Sequence, residues 1–430
     1  MPAESVTRIR AVAAFTLGAL FFGYAFTQRV APSVMTGELM REFSVGAAAL
    51  GSLSAFYFYS YAGIQLPVGL LLDRFGPRKL MAVALLLCAL ASVAFGISES
   101  LTTASLGRFM IGGSVAFGFV SSLTIAGYWF PARQFVMLSG ILTTVGMMGA
   151  MLGQAPLRLA VEQIGWRQTV FVLAAIAVVL AALIFLVVPH RSKEQLACSR
   201  NANPFSGLKS VASNPQSWLC AGVGFGPTAT LLGFAGLWAV PWLNNVKSFP
   251  TSQAAGIASA VFLGWAVAAP VVGWLSDRIG KRKPLLYAGL MINLISFVSI
   301  IFVSIEDTSI LTALFFLNGL SGSVMVISFG AMREHNAPEN NATALAMLNM
   351  FVVGSGAVMQ PLVGWMLDLN WQGGVLNGVR IYSESAYSSA LLLIVAGNVL
   401  AIVCTFMLRE TYCRPTGAPP PGPGSADHEI

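Results

Sequence analysis

Long apolar runs separated by short polar connections are the main pattern of this sequence. A helix needs about 20 mostly apolar residues to cross the hydrocarbon core of a bilayer. Twelve runs meet that requirement, at residues 11–35, 47–72, 80–98, 103–126, 135–158, 169–188, 217–243, 253–275, 284–304, 310–333, 342–367 and 387–408. The pattern therefore predicts an all-α membrane protein with twelve transmembrane helices.

The longest polar interval falls between the sixth and seventh runs and divides the chain into two halves. We expect one six-helix bundle on each side of it, and we expect the two bundles to be pseudo-symmetric. A Pro- and Gly-rich stretch near the carboxyl terminus is typical of disorder. The predicted segments are a cytoplasmic amino terminus at 1–10, bundles at 11–188 and 217–408, a cytoplasmic linker at 189–216 and a disordered cytoplasmic tail at 409–430.

Two internal repeats support this division. The turn Gly69-Leu-Leu-Leu-Asp-Arg-Phe-Gly-Pro-Arg-Lys79 returns about half a chain length later as Gly273-Trp-Leu-Ser-Asp-Arg-Ile-Gly-Lys-Arg-Lys283. The fifth and eleventh runs also match, since each has several glycines followed by a glutamine that comes one or two positions before a proline. Two parallel repeats with a binding site between them are typical of alternating-access carriers.

Composition and charge favour a bilayer as the surroundings of this chain. Hydrophobic residues make up 56% of it and charged residues only 10%, whereas soluble domains contain about 25% charged residues. Lys and Arg number about 17 on the predicted side of both termini and about 5 on the other. The excess places both termini and both charged turns in the cytoplasm of a multi-pass protein of the bacterial inner membrane. We therefore attribute the net charge of +7 to loops, not to nucleic-acid binding.

The sequence offers little for catalysis. Its five Cys and three His have no metal-ligand spacing. We find no nucleophile–base pair and no nucleotide-binding loop. We expect no enzyme activity, no cofactor and no metal, and we expect a monomer in contact with lipid.

These features resemble the major facilitator superfamily over about residues 10–410. The repeated charged turn is similar to the family's signature loop after its second and eighth helices. Arg108-Phe-Met-Ile-Gly112 looks like the Arg-xxx-Gly signature of the fourth helix. The resemblance implies a twelve-helix carrier and says little about its substrate.

A narrower resemblance concerns the first two runs. Residues Phe21–Met35 look like the first helix of bacterial organic-anion and organophosphate carriers. Together with Phe56–Tyr61 and Gln65–Gly69, they are also similar to phagosomal nutrient transporters. This resemblance implies amino acids or other small metabolites as substrates.

Arg29 is the residue that we expect to meet the substrate. A buried cation in a membrane helix is costly and usually faces a cavity or a partner. Its planar guanidinium suits a carboxylate or a phosphate. Helical spacing places Phe22, Phe26 and Ser33 on the same face. The alternative is that Arg29 extends to the outer interface.

Further polar residues inside the runs are candidates for the cavity wall. Tyr57, Tyr61 and Gln65 follow i, i+4 spacing, and they either line a cavity or bond neighbouring helices. Gln154 and Gln360 occupy equivalent places in the two halves. The complete predicted substrate-binding set is Arg29, Tyr24, Gln28, Tyr57, Tyr61, Gln65, Gln154, Asn349 and Gln360.

The charged turns are candidates for gating. Asp73 and Asp277 are predicted to form latches with facing arginines, for which Arg133 and Arg333 are candidates. The alternative is that the turns only set topology. Arg108 has either a structural or a coupling role, with Glu38 or Glu42 as a partner. The complete predicted gating set is Asp73, Arg74, Arg78, Arg108, Arg133, Asp277, Arg278, Arg282 and Arg333.

The sequence thus predicts a secondary transporter for a small anionic or zwitterionic organic solute. An amino acid or a monocarboxylate is favoured, because only one arginine is placed in the cavity. The alternatives are an organophosphate or sugar-phosphate exchanger, a transport-fold sensor, and a drug or sugar exporter. No Asp or Glu lies near the middle of a run. The sequence allows both symport with protons and antiport, with Glu38, Glu42 and Asp368 as candidate proton carriers near the outer ends.

Overall fold

The apolar runs form helices throughout. The computed structural model describes residues 8–130, 135–189, 204–337, 340–376 and 378–413. Within that part, eleven helical segments are long and apolar enough to cross a membrane. The remaining predicted run forms two consecutive helices, Ala47–Gly63 and Gln65–Phe75. Each of the twelve predicted runs therefore has a helical counterpart, and we number them spans 1 to 12.

Spans 1 to 6 are Arg8–Val34, Ala47–Gly63 with Gln65–Phe75, Pro77–Gly96, Leu101–Val115 with Phe117–Trp129, Phe135–Leu152 with Ala155–Ile164, and Trp166–Val187. Spans 7 to 12 are Pro215–Asn245, Thr251–Ile279, Lys283–Phe302, Thr308–Gly322 with Met325–Glu334, Asn341–Leu369, and Glu384–Met407. Two short helices, Thr36–Phe43 and Pro204–Ser213, lie outside the spans. A two-stranded antiparallel hairpin joins spans 11 and 12, with β1 at Val375–Leu376 and β2 at Val379–Arg380.

Proline accounts for one break and one irregular segment. Span 5 ends its first helix at Leu152, and Pro156 lies in the first turn of the second helix. That position suits proline, because its missing N–H would have no helical partner there. Pro227 in span 7 comes just before a π-helical segment, Ala229–Trp238. Pro361, by contrast, lies inside the continuous helix of span 11.

Glycines allow span 5 to pack closely against span 1. Gly149 lies directly against the backbone of Gly23, and Thr27 Oγ1 donates a hydrogen bond of 2.7 Å to the Gly149 carbonyl. Gly146 faces the Phe22 ring, and Gly153 faces Val30. Small residues with polar bonds are how helices associate in lipid.

The two halves meet mainly through spans 2 and 11 and through spans 5 and 8. We call the side that holds residues 8 and 413 the terminal side, and the other the opposite side. The helix Thr36–Phe43 and the β1–β2 hairpin lie on the opposite side, where they touch. Near that side Gly364 of span 11 packs against the backbone of Ala47 in span 2.

Two predicted boundaries need comment. Residues 190–203 of the linker and 414–430 of the tail lie outside the described residues. At the predicted start of the tail, Glu410 accepts hydrogen bonds from the backbone N–H groups of Arg282 and Lys283, at 2.8 and 2.9 Å. Although burial opposes it, this set of N–H donors lowers the pKa of Glu410. The carboxylate caps span 9 and fixes the start of the tail.

We expect Gly149→Ala to lower the stability of the protein. An added Cβ would overlap the Gly23 carbonyl, and overpacking costs about 1–3 kcal/mol. Gly140→Ala is the control, because its Cβ would meet nothing within 4 Å in the same span. Thermal unfolding in detergent compares the two. Equal melting temperatures would rule out the close contact of spans 1 and 5.

Candidate functional site

Arg29 lies inside span 1 and is enclosed by aromatic rings. Only 4% of the residue is exposed. Its guanidinium carbon lies 4.2 Å from the ring centroid of Phe26 and 4.9 Å from that of Tyr61. Tyr57 and Phe58 lie further out, at 5.8 and 5.9 Å. The alternative in which Arg29 extends to the membrane interface is therefore wrong.

The charge of Arg29 has no acidic counterpart among the residues that the structure describes. None of the ion pairs among the described residues involves it. Its Nε is buried without a hydrogen-bond partner. A desolvated contact between a cation and an aromatic face is worth about 2 kcal/mol or somewhat more, whereas burying an ion costs several kcal/mol. The site is therefore short of negative charge.

Arg108 adds a second buried cation from span 4. The residue is 1% exposed, and its Nη1 donates to the Gln28 carbonyl at 2.8 Å. Its Nε and Nη2 have no partner. The Tyr57 ring centroid lies 4.9 Å from the Arg108 guanidinium carbon, so Tyr57 lies within cation–aromatic range of both arginines. Two guanidinium groups and one ring thus form the centre of the amino-terminal half.

The proposed acidic partners of Arg108 are engaged elsewhere. Glu38 pairs with Arg158 at 2.7 Å, and Glu42 pairs with Arg167 at 2.9 Å. Both arginines come from the end of span 5 and the start of span 6, on the opposite side. The expectation that Arg108 pairs with Glu38 or Glu42 is wrong.

Span 2 supplies the ring wall of the site. Tyr61 stacks on Tyr57 with an interplanar angle of 16° and a centroid distance of 6.0 Å. Tyr57 donates its phenol to the Ala25 carbonyl at 3.0 Å, and the hydroxyl groups of Tyr57 and Tyr61 also interact with the Arg29 guanidinium. Gln65 has a buried Nε2 without a partner, whereas Asn349 is only partly buried.

Tyr24 and Gln28 are committed to packing within the amino-terminal half. The Tyr24 hydroxyl donates to the Leu173 carbonyl at 3.0 Å and accepts from Gln28 Nε2 at 2.5 Å. Gln28 Nε2 also lies 3.2 Å from Ser92 Oγ. These contacts join spans 1, 3 and 6 and commit both side chains to packing, so they do not support a place for either residue in the binding set.

Gln154 and Gln360 both bind the π-helical segment of span 7. Gln154 Nε2 donates to the Ala235 carbonyl at 3.2 Å, which links the two halves. Gln360 Nε2 donates to the Leu232 carbonyl at 2.8 Å. The backbone carbonyl of Gln360 accepts from Trp238 Nε1 at 3.0 Å. The equivalent glutamines thus converge on one short stretch of backbone. In this conformation they hold helices together and do not point into an open cavity.

The gating residues of the amino-terminal half are only partly described. Arg133 lies outside the described residues, and the side chains of Asp73 and Arg74 are not described either. Arg78, at the start of span 3, lies over the Phe185 ring at 4.7 Å. The latch predicted around Asp73 therefore remains a prediction.

The second charged turn forms a cluster within the carboxy-terminal half. Asp277 is exposed and pairs with Arg282 at 2.7 Å, and Arg282 pairs with the buried Glu334 at 2.6 Å. Burial alone would lower the pKa of Arg282, but Glu334 and Asp277 raise it. The predicted partner Arg333 is exposed and forms no described ion pair, and Arg278 lies over the Trp274 ring at 5.2 Å.

Sequence reasoning missed Glu334, which also accepts from the Thr411 hydroxyl. A carboxylate next to Arg333 at the end of span 10 was the available signal. The cluster connects spans 8, 9 and 10 with the start of the tail. The contacts printed for it among the described residues all lie within the carboxy-terminal half.

The chain matches sequences and structures of known transporters. It is similar to the probable sulfoacetate transporter SauU of Cupriavidus necator, with 23% identity over 372 residues that cover 81% of this chain and 85% of that protein. It is also similar to the probable galactarate/D-glucarate transporter GudP of Escherichia coli K12, with 20% identity over 401 residues, 84% of this chain and 87% of that protein.

A solved structure shares the fold. The crystal structure of a bacterial homologue of the human lysosomal transporter Spinster, inward-facing and unoccupied, superposes with a TM-score of 0.73 at 15% identity and covers 95% of this chain and 97% of that one. The family pattern described as Major Facilitator Superfamily matches residues 16–361 and 229–427. The chain belongs to the Major Facilitator Superfamily and is a multi-pass membrane transporter, not an enzyme.

Proposed function

We propose that this protein carries a small organic dianion across the bacterial inner membrane by alternating access. The observation that supports this proposal is the pair of buried arginines, Arg29 and Arg108, that have no acidic partner among the described residues. A substrate with two acid groups would supply the missing charge. The terminal side is cytoplasmic in this proposal, because it carries most of the Lys and Arg.

The second arginine changes the expected substrate. An amino acid or a monocarboxylate was favoured when only Arg29 was placed in the cavity. Two guanidinium groups that bracket Tyr57 suit two acid groups better than one. Sulfoacetate, galactarate and D-glucarate, which are named for the relatives, each carry two acid groups. A sugar phosphate is also doubly charged, and competition experiments separate it from the dicarboxylates.

The proposed cycle begins with the opposite side closed, as in this structure. Gln154 and the contact of Gly51 with the backbone of Gln360 hold the two halves together. The substrate reaches Arg29 when these contacts part on the outer side and leaves when the halves rock the other way. The cost of the buried charges falls when the substrate binds, so an occupied carrier reorients more readily than an empty one.

We expect Arg29→Lys to raise the KM for dianion uptake about 10-fold to 100-fold, because a lysine loses the two-pronged pairing. Arg29→Ala should abolish uptake. Uptake of labelled sulfoacetate and D-glucarate into proteoliposomes measures both. Arg10→Gln is the control, because Arg10 is exposed at the start of the same span. Unchanged uptake in Arg29→Ala, or preference for organic cations, would contradict the proposal, and binding without flux would indicate a sensor.

The role of Arg108 is tested with a matched pair of solutes. D-Glucarate and D-gluconate share a carbon skeleton and differ by one acid group. We expect the wild type to prefer D-glucarate, and we expect Arg108→Gln to reduce that preference about tenfold, since one charged contact is lost. Competition against a labelled dianion gives the ratio for each variant. An unchanged ratio would assign Arg108 to structure alone.

The cluster at Arg282 is expected to brace the carboxy-terminal half. Glu334→Gln leaves the buried guanidinium without its main partner, which should cost about 3 kcal/mol of stability. Thermal unfolding measures the loss, and Arg333→Gln is the control because Arg333 is exposed beside it. If the cluster were instead a latch between halves, Glu334→Gln would change the uptake rate and leave the melting temperature unaltered.

A further inference from the structure

Gln154 joins the two halves through its side-chain amide. It lies between the two helices of span 5, after Leu152 and before Ala155, and it is fully buried. Its Nε2 donates to the Ala235 carbonyl at 3.2 Å. Ala235 belongs to the π-helical segment of span 7, in the other half. We call this hydrogen bond the Gln154 tie.

The tie lies about one helical turn from the buried arginine of span 1. Ser33 follows Arg29 by four positions, which is about 6 Å along a helix axis. Ser33 is buried, and its Oγ lies 3.4 Å from Oε1 of Gln154. Ser33 is also closer than Arg29 to the opposite side. The Gln154 amide therefore lies next to the central site, between it and the opposite side.

Parting of the halves changes what this amide can bind. A primary amide has two N–H donors. Ala235 holds one of them while the halves are together. When the halves part on the opposite side, Gln154 moves with one half and Ala235 with the other, so the bond breaks. Both N–H groups then need acceptors, because a buried polar group without a partner is costly.

We propose that Gln154 holds the opposite side closed and becomes a ligand of the solute when that side opens. The inference rests on the proposed function for an acidic solute at Arg29. The open carrier offers the solute two N–H donors from this amide, whereas the closed carrier offers at most one. The solute therefore binds the open form more tightly, which is the difference in affinity that a shift of conformation requires.

A second contact between the halves limits what loss of the tie can do. Asp368, at the carboxyl end of span 11, accepts from the backbone N–H groups of Ala47 and Ala48 at the start of span 2, at 3.2 and 2.9 Å. These bonds do not involve Gln154, so they stay in place when the tie is lost. Removal of the tie should therefore raise the fraction of open carrier several-fold without opening every molecule.

The first experiment measures the opposite side in the absence of solute. Glu99 and Glu384 are exposed on this side in different halves, and cysteines at both positions carry spin labels in a background without the native cysteines. Distance distributions in nanodiscs report the fraction of open carrier. We expect Gln154→Met, which keeps the length of the side chain and lacks the amide, to raise that fraction about fivefold, since one hydrogen bond is lost.

Asn398→Leu is the matched control for Gln154→Met. Asn398 is a buried amide of span 12, and its Nδ2 donates to Thr230 Oγ1 at 2.9 Å. Thr230 lies in the same π-helical segment, but both residues belong to the carboxy-terminal half. This variant should lower the melting temperature and leave the distance distribution as in the wild type. An open fraction that stays the same in Gln154→Met would overturn the tie.

The second experiment separates a ligand from a simple contact. The concentration of sulfoacetate or D-glucarate that gives half-maximal opening measures the affinity. Loss of a contact alone makes the open form more common, so the affinity would rise. Loss of a ligand also removes hydrogen bonds to a charged group, so we expect the affinity of Gln154→Met to fall about tenfold. An affinity above that of the wild type would overturn the role of Gln154 as a ligand.

The outcomes distinguish this inference from the proposed function. Dianion uptake with an unaltered KM in Gln154→Met would overturn the ligand role and leave the carrier proposal standing. Opening by Gln154→Met in a protein that binds no dianion would support the tie while the proposed substrate class failed.

Discussion

Two buried positive charges in a lipid-embedded bundle, without an acidic partner in the part of the chain that the structure describes, are the constraint on which the rest of this structure depends. Arg29 and Arg108 are enclosed by helices that contain almost no other charge, and aromatic faces offset only part of the cost. Under the proposed function, an anionic solute supplies the negative charge that the site lacks. Its binding energy is then available to drive the change between conformations.

The polar groups around this centre divide into two kinds. Tyr24, Gln28 and Thr27 fix spans 1, 3, 5 and 6 to one another and make the amino-terminal half rigid. Gln154 instead reaches the π-helical segment of span 7 in the other half, whose irregular backbone leaves carbonyls open to side chains. The first kind must persist through transport, whereas the second must break.

The sequence was sufficient to predict the helices and the burial of Arg29 inside its span. It was not sufficient to predict which side chains pair with one another. Twenty apolar residues need a helix in lipid, because every backbone group must be bonded internally. A cation inside such a run is conspicuous for the same reason. The partner of Glu38 could not be read in this way, since Arg158 lies 120 positions away and the choice among several arginines depends on packing. Likewise, Asp368 was noted as a carboxylate near an outer end, but its role as a cap for span 2 requires knowing that the two helices meet.

The two sides of the molecule use charge differently, and this difference bears on the direction of the conformational change. On the terminal side, the described contacts of Arg282, Glu334 and Glu410 lie within one half. On the opposite side, Asp368 and Gln154 bind across the halves. Rocking motion leaves contacts within a half intact and must break those between halves. The contacts described between the halves that alternation must break are therefore a carboxylate on a helix terminus and a few amide hydrogen bonds on the opposite side, and under the proposed function one bound anion outweighs them.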